Sequence, residues 1–161
     1  MKFLLSICLL LGIVHLSYQA PTTEKPCDKY SMNSTLYIDQ LTFGSYSTAR
    51  FHRGQYNILS NTLYLTLTAY NTVLDNLNAN NKSGYYQVKC DYPAISSYPD
   101  FVFSINGAQV RATPWQYIDV SSIYHSMCSV NIEYTEYKAL MSDFWLPDYL
   151  GDQICRAQRG H

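Results

Sequence analysis

The segment Phe101-Val102-Phe103-Ser104-Ile105-Asn106-Gly107 leaves this chain the least freedom. Five apolar or small residues read as a strand, and Asn-Gly after a strand is the strongest two-residue hairpin signal, because both residues accept the positive φ such a turn requires. Ala108 to Val110 can return from it as the partner strand. Elsewhere the pattern repeats: Leu36-Tyr37-Ile38 and Leu41-Thr42-Phe43, closed by Gly44, read as two short strands or one bent strand. Leu63, Leu65 and Leu67 alternate within Asn57 to Thr68, the two-residue period of a half-buried strand. Tyr85 to Cys90 forms another strand, and Trp115 to Ile118 is expected to extend the sheet. Thr72 to Leu77, capped by Asn71 or Thr72, is the best short helix, and Asn78 to Gly84 reads as a polar loop. Sixteen Tyr and only 14% charged residues suit pleated, half-buried surfaces. The expectation is one all-β domain of many short strands with one or two short helices.

The front of the chain reads differently. Lys2 followed by an apolar run from Phe3 to Val14, with Ser17, Gln19 and Ala20 as small or tolerated cleavage residues, predicts a signal peptide over 1–19. The run is shorter than the ~20 residues that span a bilayer and is interrupted by His15. Residues 20–34, with two prolines, are expected to be a flexible leader, and 35–161 the folded domain. A secretory product meets an oxidising lumen, so the expected location is extracellular or within the secretory or endolysosomal lumen. There Asn33-Ser34-Thr35 and Asn81-Lys82-Ser83 become acceptor sequons, with Asn33 and Asn81 as the modified residues. Eleven Lys plus Arg against twelve Asp plus Glu, without runs of one sign, leave no footprint for nucleic acid or for an anionic membrane.

Three segments in order resemble one family. Tyr85 to Ile118 is similar to the C-terminal lobe of the pepsin-like aspartic peptidases, in which a strand ends in Cys, a loop leads to Pro, a strand of the form x-I-x-F-x-I-x-G follows, and then Pro-x-x-Tyr-Ile. Phe144-Trp145-Leu146 and Leu150-Gly151-Asp152-Gln153-Ile154-Cys155-Arg156 resemble the family's F-W-I-L-G-D-x-F-x-R segment, with Pro147-Asp148-Tyr149 as an apparent insertion. Ile58 to Leu77 resembles the stretch where a catalytic Asp-Thr-Gly-Thr-Ser loop precedes a short helix. The resemblance covers about residues 35 to 156 and implies one lobe of that bilobal β fold. It pairs Cys90 with Cys128. Cys27 and Cys155 then either pair with each other or stay free for an intermolecular bridge, Cys8 leaving with the signal.

Family catalysis, as the resemblance implies, needs two carboxylates sharing a proton, one from each lobe. The sequence contains no Asp-Thr-Gly or Asp-Ser-Gly. Ser60, Asn61 and Thr62 occupy the degenerate position, one residue short, with Ser60 where the Asp would stand and no loop glycine. The first lobe, its flap and the closing strands that the resemblance places beyond Arg159 are expected to be missing too, which would leave an apolar face for a partner to cover. No catalytic residue, metal site or cofactor is therefore expected. His52 and His125 lack metal-ligand spacing and are read as surface residues, and a serine-nucleophile role for Ser60 lacks its motif. Asp152 is read as structural. The function expected is a secreted pseudo-enzyme that binds peptide or protein, with a homodimer or an association with another secreted protein possible in principle. Two alternatives stand beside it: an aspartic endopeptidase completed by an Asp-Thr-Gly-bearing chain or segment, and a secreted structural or defence glycoprotein.

Overall fold

A computed structural model describes residues 27–48, 50–120, 126–135 and 142–160. Its larger sheet contains β1 (Thr35–Phe43), β2 (Tyr46–Ser47), β3 (His52–Asn57), β4 (Leu63–Leu65), β7 (Phe101–Ile105), β8 (Ala108–Ala112), β11 (Ile132–Tyr134) and β12 (Phe144–Pro147). They lie in the order β11-β4-β12-β3-β1-β7-β8, with β2 folded back on β1. The smaller sheet runs β5 (Asn80–Lys82), β6 (Tyr85–Lys89), β10 (Met127–Val130), β9 (Ile118–Asp119). Among the described residues four α-helices intervene: α1 (Leu67–Asn76), α2 (Tyr92–Ile95), α3 (Pro114–Tyr117) and α4 (Gly151–Arg159). The all-β expectation holds, with more helices than the one or two short ones expected.

Local chemistry explains the elements. Leu36, Ile38, Leu41 and Phe43 are all buried, although strict alternation would turn the last two outward. A register shift between Ile38 and Gln40 supplies the extra residue that returns Leu41 and Phe43 to the core side. The two apolar runs are thus one bulged strand. At Asn106 and Gly107 the backbone takes φ of 51° and 78°, so β7 and β8 close as the Asn-Gly pair predicts. The core is aromatic at its centre: Phe43, Phe101 and Tyr117 meet in one ring cluster, and Phe103 reaches Phe144 of β12.

Four expectations need correction. The helix begins at Leu67, not near Thr72, because the Thr66 hydroxyl accepts the Ala69 N–H at 3.3 Å and caps it. Leu67 therefore leaves the predicted strand and is 51% exposed. Trp115 to Tyr117 lie in α3 and not in the sheet, since Pro114 at the first turn and the Thr113–Gln116 capping box start a helix there. The polar stretch 78–84 holds strand β5, joined to β6 by a two-residue turn at Ser83 (φ 55°) and Gly84 (φ 88°). The leader expected over 20–34 is anchored from Cys27 on: Cys27 is bonded to Cys155, and the Ser34 carbonyl accepts the Tyr56 N–H at 2.7 Å.

Both disulfides are formed, Cys90–Cys128 between the end of β6 and β10, and Cys27–Cys155 between the N-terminal segment and α4. Among the described residues no helix is long and apolar enough to cross a membrane. The signal-peptide segment 1–19 lies outside the described residues.

Candidate functional site

The loop between β3 and β4 sits at an unusual place in the sheet. Those strands are consecutive in the chain, yet β12 is inserted between them, parallel to β3 (Phe144 against Gly54) and antiparallel to β4 (Trp145 against Tyr64). The loop must arch over the end of β12, and it is tied there by the Asp148 N–H donating to the Ser60 carbonyl at 2.8 Å. Leu63, Leu65, Phe144 and Leu146 below it are completely buried.

Within the loop, Ser60, Asn61 and Thr62 are engaged by local geometry. Thr62 N–H donates to Ser60 Oγ at 3.1 Å, and that hydroxyl donates to the Thr62 carbonyl at 3.3 Å. The hydroxyl thus closes a turn on its own backbone, the role that short polar side chains take in loops. Asn57 Oδ1 similarly accepts the Leu59 N–H at 3.0 Å. Asn61 is exposed, and Leu59 at the tip is 93% exposed.

Among the described residues, His52 does not reach Ser60. His52 starts β3 and Ser60 follows its far end, so about 17 Å of strand separates the histidine from Asn57. The expectation that His52 is a surface residue is corrected: its side chain is mostly buried, with Nδ1 3.1 Å from Asp143 and the ring edge-on to Phe144 at 4.9 Å. Sequence spacing could not reveal this pairing, which spans 91 residues. His125 lies outside the described residues. No cluster of His, Cys, Asp or Glu suited to a metal ion occurs among the described residues.

The carboxylate with partners near this loop is Asp148, inside what reads in the sequence as an insertion. It accepts from Lys29 Nζ at 2.9 and 3.0 Å and from the Tyr56 hydroxyl at 3.0 Å. The Lys29 hydrogen bond holds its carboxyl below the ordinary value, against the opposing effect of burial. The same bond raises Lys29, while Tyr56 is raised first by burial and then by Asp148. An acid so neutralised is poorly placed to share a proton. Asp152, by contrast, is exposed on the first turn of α4. Gly151 is needed before it, because a Cβ there would run into the Tyr56 hydroxyl.

Beside the loop runs an open groove of about 290 Å³. Thr62 forms one end, Val130 and Ile132 contribute apolar surface, and Ser129 and Asn131 add polar groups. Asp119, Glu133 and the exposed Tyr85 complete it. The two sheets meet here: Asn131 donates its N–H to the Tyr117 carbonyl at 2.7 Å and accepts the Leu63 N–H at 3.1 Å. Chemically the groove offers an apolar strip, backbone and hydroxyl partners, and two carboxylates, which suits an extended chain carrying a basic group.

Asn33 and Asn81 are both exposed. Asn33 Oδ1 accepts the Thr35 N–H at 3.0 Å, and Asn81 Oδ1 accepts the Gly84 N–H at 3.1 Å.

A family model described as "Eukaryotic aspartyl protease" matches residues 40–156, spanning the β3–β4 loop, the groove, the Cys90–Cys128 disulfide and β12. No curated protein matches the chain.

Proposed function

Because the chain belongs to the eukaryotic aspartyl protease family, we propose that it is a secreted, non-catalytic member that binds peptide or protein along the groove beside its β3–β4 loop. The observation that carries this reading is the state of Ser60: the loop stands on the fully buried Leu63, Leu65, Phe144 and Leu146, yet the Ser60 hydroxyl is committed to the turn's own backbone. A hydroxyl ionises far above working pH and cannot take part in a shared-proton dyad. The groove keeps partner-binding chemistry without it, and Asp119 and Glu133 favour ligands with Lys or Arg. Two disulfides fit an oxidising lumen, which supports secretion, and the exposed Asn33 and Asn81 are the acceptor sites that route would use.

The purified chain is expected to show no pepstatin-sensitive cleavage of peptide substrates between pH 2 and pH 7. It is expected to bind extended basic peptides in a fluorescence assay, with Glu133→Gln weakening them and leaving neutral peptides unchanged. Inhibitor-sensitive cleavage by the chain alone would overturn the non-catalytic reading. Cleavage appearing only with a second, Asp-Thr-Gly-bearing chain would establish the endopeptidase alternative. Binding insensitive to Glu133→Gln would remove the groove, leaving the structural or defence glycoprotein reading.

A further inference from the structure

A second recess opens at the start of β1, on its β7 side. Strand β1 continues to Thr35, but its neighbour β7 stops pairing at Ile105 and turns back at Asn106 and Gly107. The mismatch leaves a notch of about 250 Å³ floored by Leu36 and Ile105. Gln158 of α4 walls one side, donating to the Asn33 carbonyl at 2.7 Å, and Asn106 donates to the Ala157 carbonyl at 3.5 Å. Asn33, Thr35 and Tyr37 form the outward row of this end of the strand.

Two features of that row belong together. Asn33 opens a sequon, and its Oδ1 is held by the Thr35 N–H, so the amide carbonyl is the engaged end and Nδ2 the available one. Four residues on, about 13 Å along an extended strand, Tyr37 is 56% exposed, with its ring stacked on the exposed Phe51 at 5.5 Å. An exposed tyrosine lining a polar-walled notch, its ring stacked on Phe51 outside that notch, is a platform for a ligand with an apolar face and hydroxyl edges. A sugar has both.

We propose that Asn33 carries an N-linked glycan whose first sugars lie in this notch against Tyr37, so that the glycan is part of the fold's surface packing, whereas a glycan on Asn81 would stand free on the β5–β6 hairpin. The inference rests on the secretory reading above. In the transfer, Asn33 Nδ2 bonds to C1 of the donor sugar as the C1–O bond to a lipid pyrophosphate breaks. The amide proton leaves to base and the pyrophosphate departs with the electron pair. The notch then covers aromatic surface otherwise left to water.

The test expresses the full chain in a glycosylating secretory host, with protease protection to score entry into the lumen. Enzymatic deglycosylation in oxygen-18 water, which converts a glycosylated Asn to a labelled Asp, followed by peptide mass spectrometry should mark Asn33. Enzymatic glycan removal should lower the thermal midpoint by roughly 2 to 4 °C in the parent and in Asn81→Gln. In Tyr37→Ala it should leave the midpoint unchanged, with Asn33 still occupied. An unmodified Asn33 in a chain that has entered the lumen overturns the proposal, and equal shifts in the parent and Tyr37→Ala overturn the notch. A chain that never enters overturns both this and the secretory reading, and protease protection distinguishes that result from the other two.

Discussion

The β3–β4 loop and the β7–β8 turn both link consecutive strands of one sheet, and they are closed in different ways. At the turn, Asn106 and Gly107 adopt the positive φ values that their side chains permit, and every residue pair of the hairpin is in register. At the loop, no φ-permissive pair sets the turn, and Ser60 Oγ and Asn57 Oδ1 instead accept backbone N–H groups to close it. Leu63, Leu65, Phe144 and Leu146 beneath it are nonetheless fully buried. Sheet packing depends on apolar volume and register, which the loop does not supply, so the loop's residues can vary while the packing beneath them stays.

This contrast can be broken most severely at the disulfide that closes the smaller sheet. Replacing Cys90 and Cys128 together by Ala should cost about 4 kcal/mol in denaturant unfolding, from the 38-residue separation they span. A loss below about 1 kcal/mol would mean the sheet pairing alone suffices. Next, Leu146→Ala beneath the loop should cost about 3 kcal/mol, since a fully buried side chain leaves a cavity among packed neighbours. Removing the α1 cap with Thr66→Ala should cost about 1 kcal/mol, read from the same midpoints.

A smaller, pH-dependent effect should come from Asp148, which is ionised more easily folded than unfolded. Its contribution is present above the ordinary carboxylate pKa of about 4 and is lost as pH falls through the lowered folded value. Asp148→Asn should therefore flatten the acid limb of the stability curve, and an unchanged limb would count against the Lys29–Asp148–Tyr56 arrangement. The smallest effect sharpens the comparison at the loop itself. Leu59→Ser, at a 93% exposed tip, should shift stability by no more than about 0.5 kcal/mol. A large loss there would mean that the loop supports the sheet after all.

What the sequence made legible follows from how local each signal is. The β7–β8 hairpin, β6 and the apolar halves of β1 were readable because alternation and Asn-Gly act within a few residues. Where Leu63, Leu65 and Leu67 continued a two-residue rhythm, the Thr66 cap overrode it, and an N-cap serine or threonine inside a strand pattern is the cue to weigh. Pro114 and Thr113 gave a similar cue for α3. The Ser83-Gly84 turn was hidden inside a polar stretch whose composition resembles any loop. The site divides in the same way. Ser60 was identifiable from the order of family motifs, whereas Lys29, Tyr56 and Asp148 meet across as many as 119 residues and no spacing rule joins them. His52 and Asp143 were invisible for the same reason.

The bond between Cys27 and Cys155 also has a mechanical meaning. Its two cysteines lie 128 positions apart, so tension applied outside them passes through the sulfur atoms and bypasses the strands in between. In a single-molecule pulling experiment the oxidised protein should hide roughly 420 to 460 Å of contour length, released only once reductant is added. A force that would peel β12 from β3 in the reduced chain has no lever on it in the oxidised one.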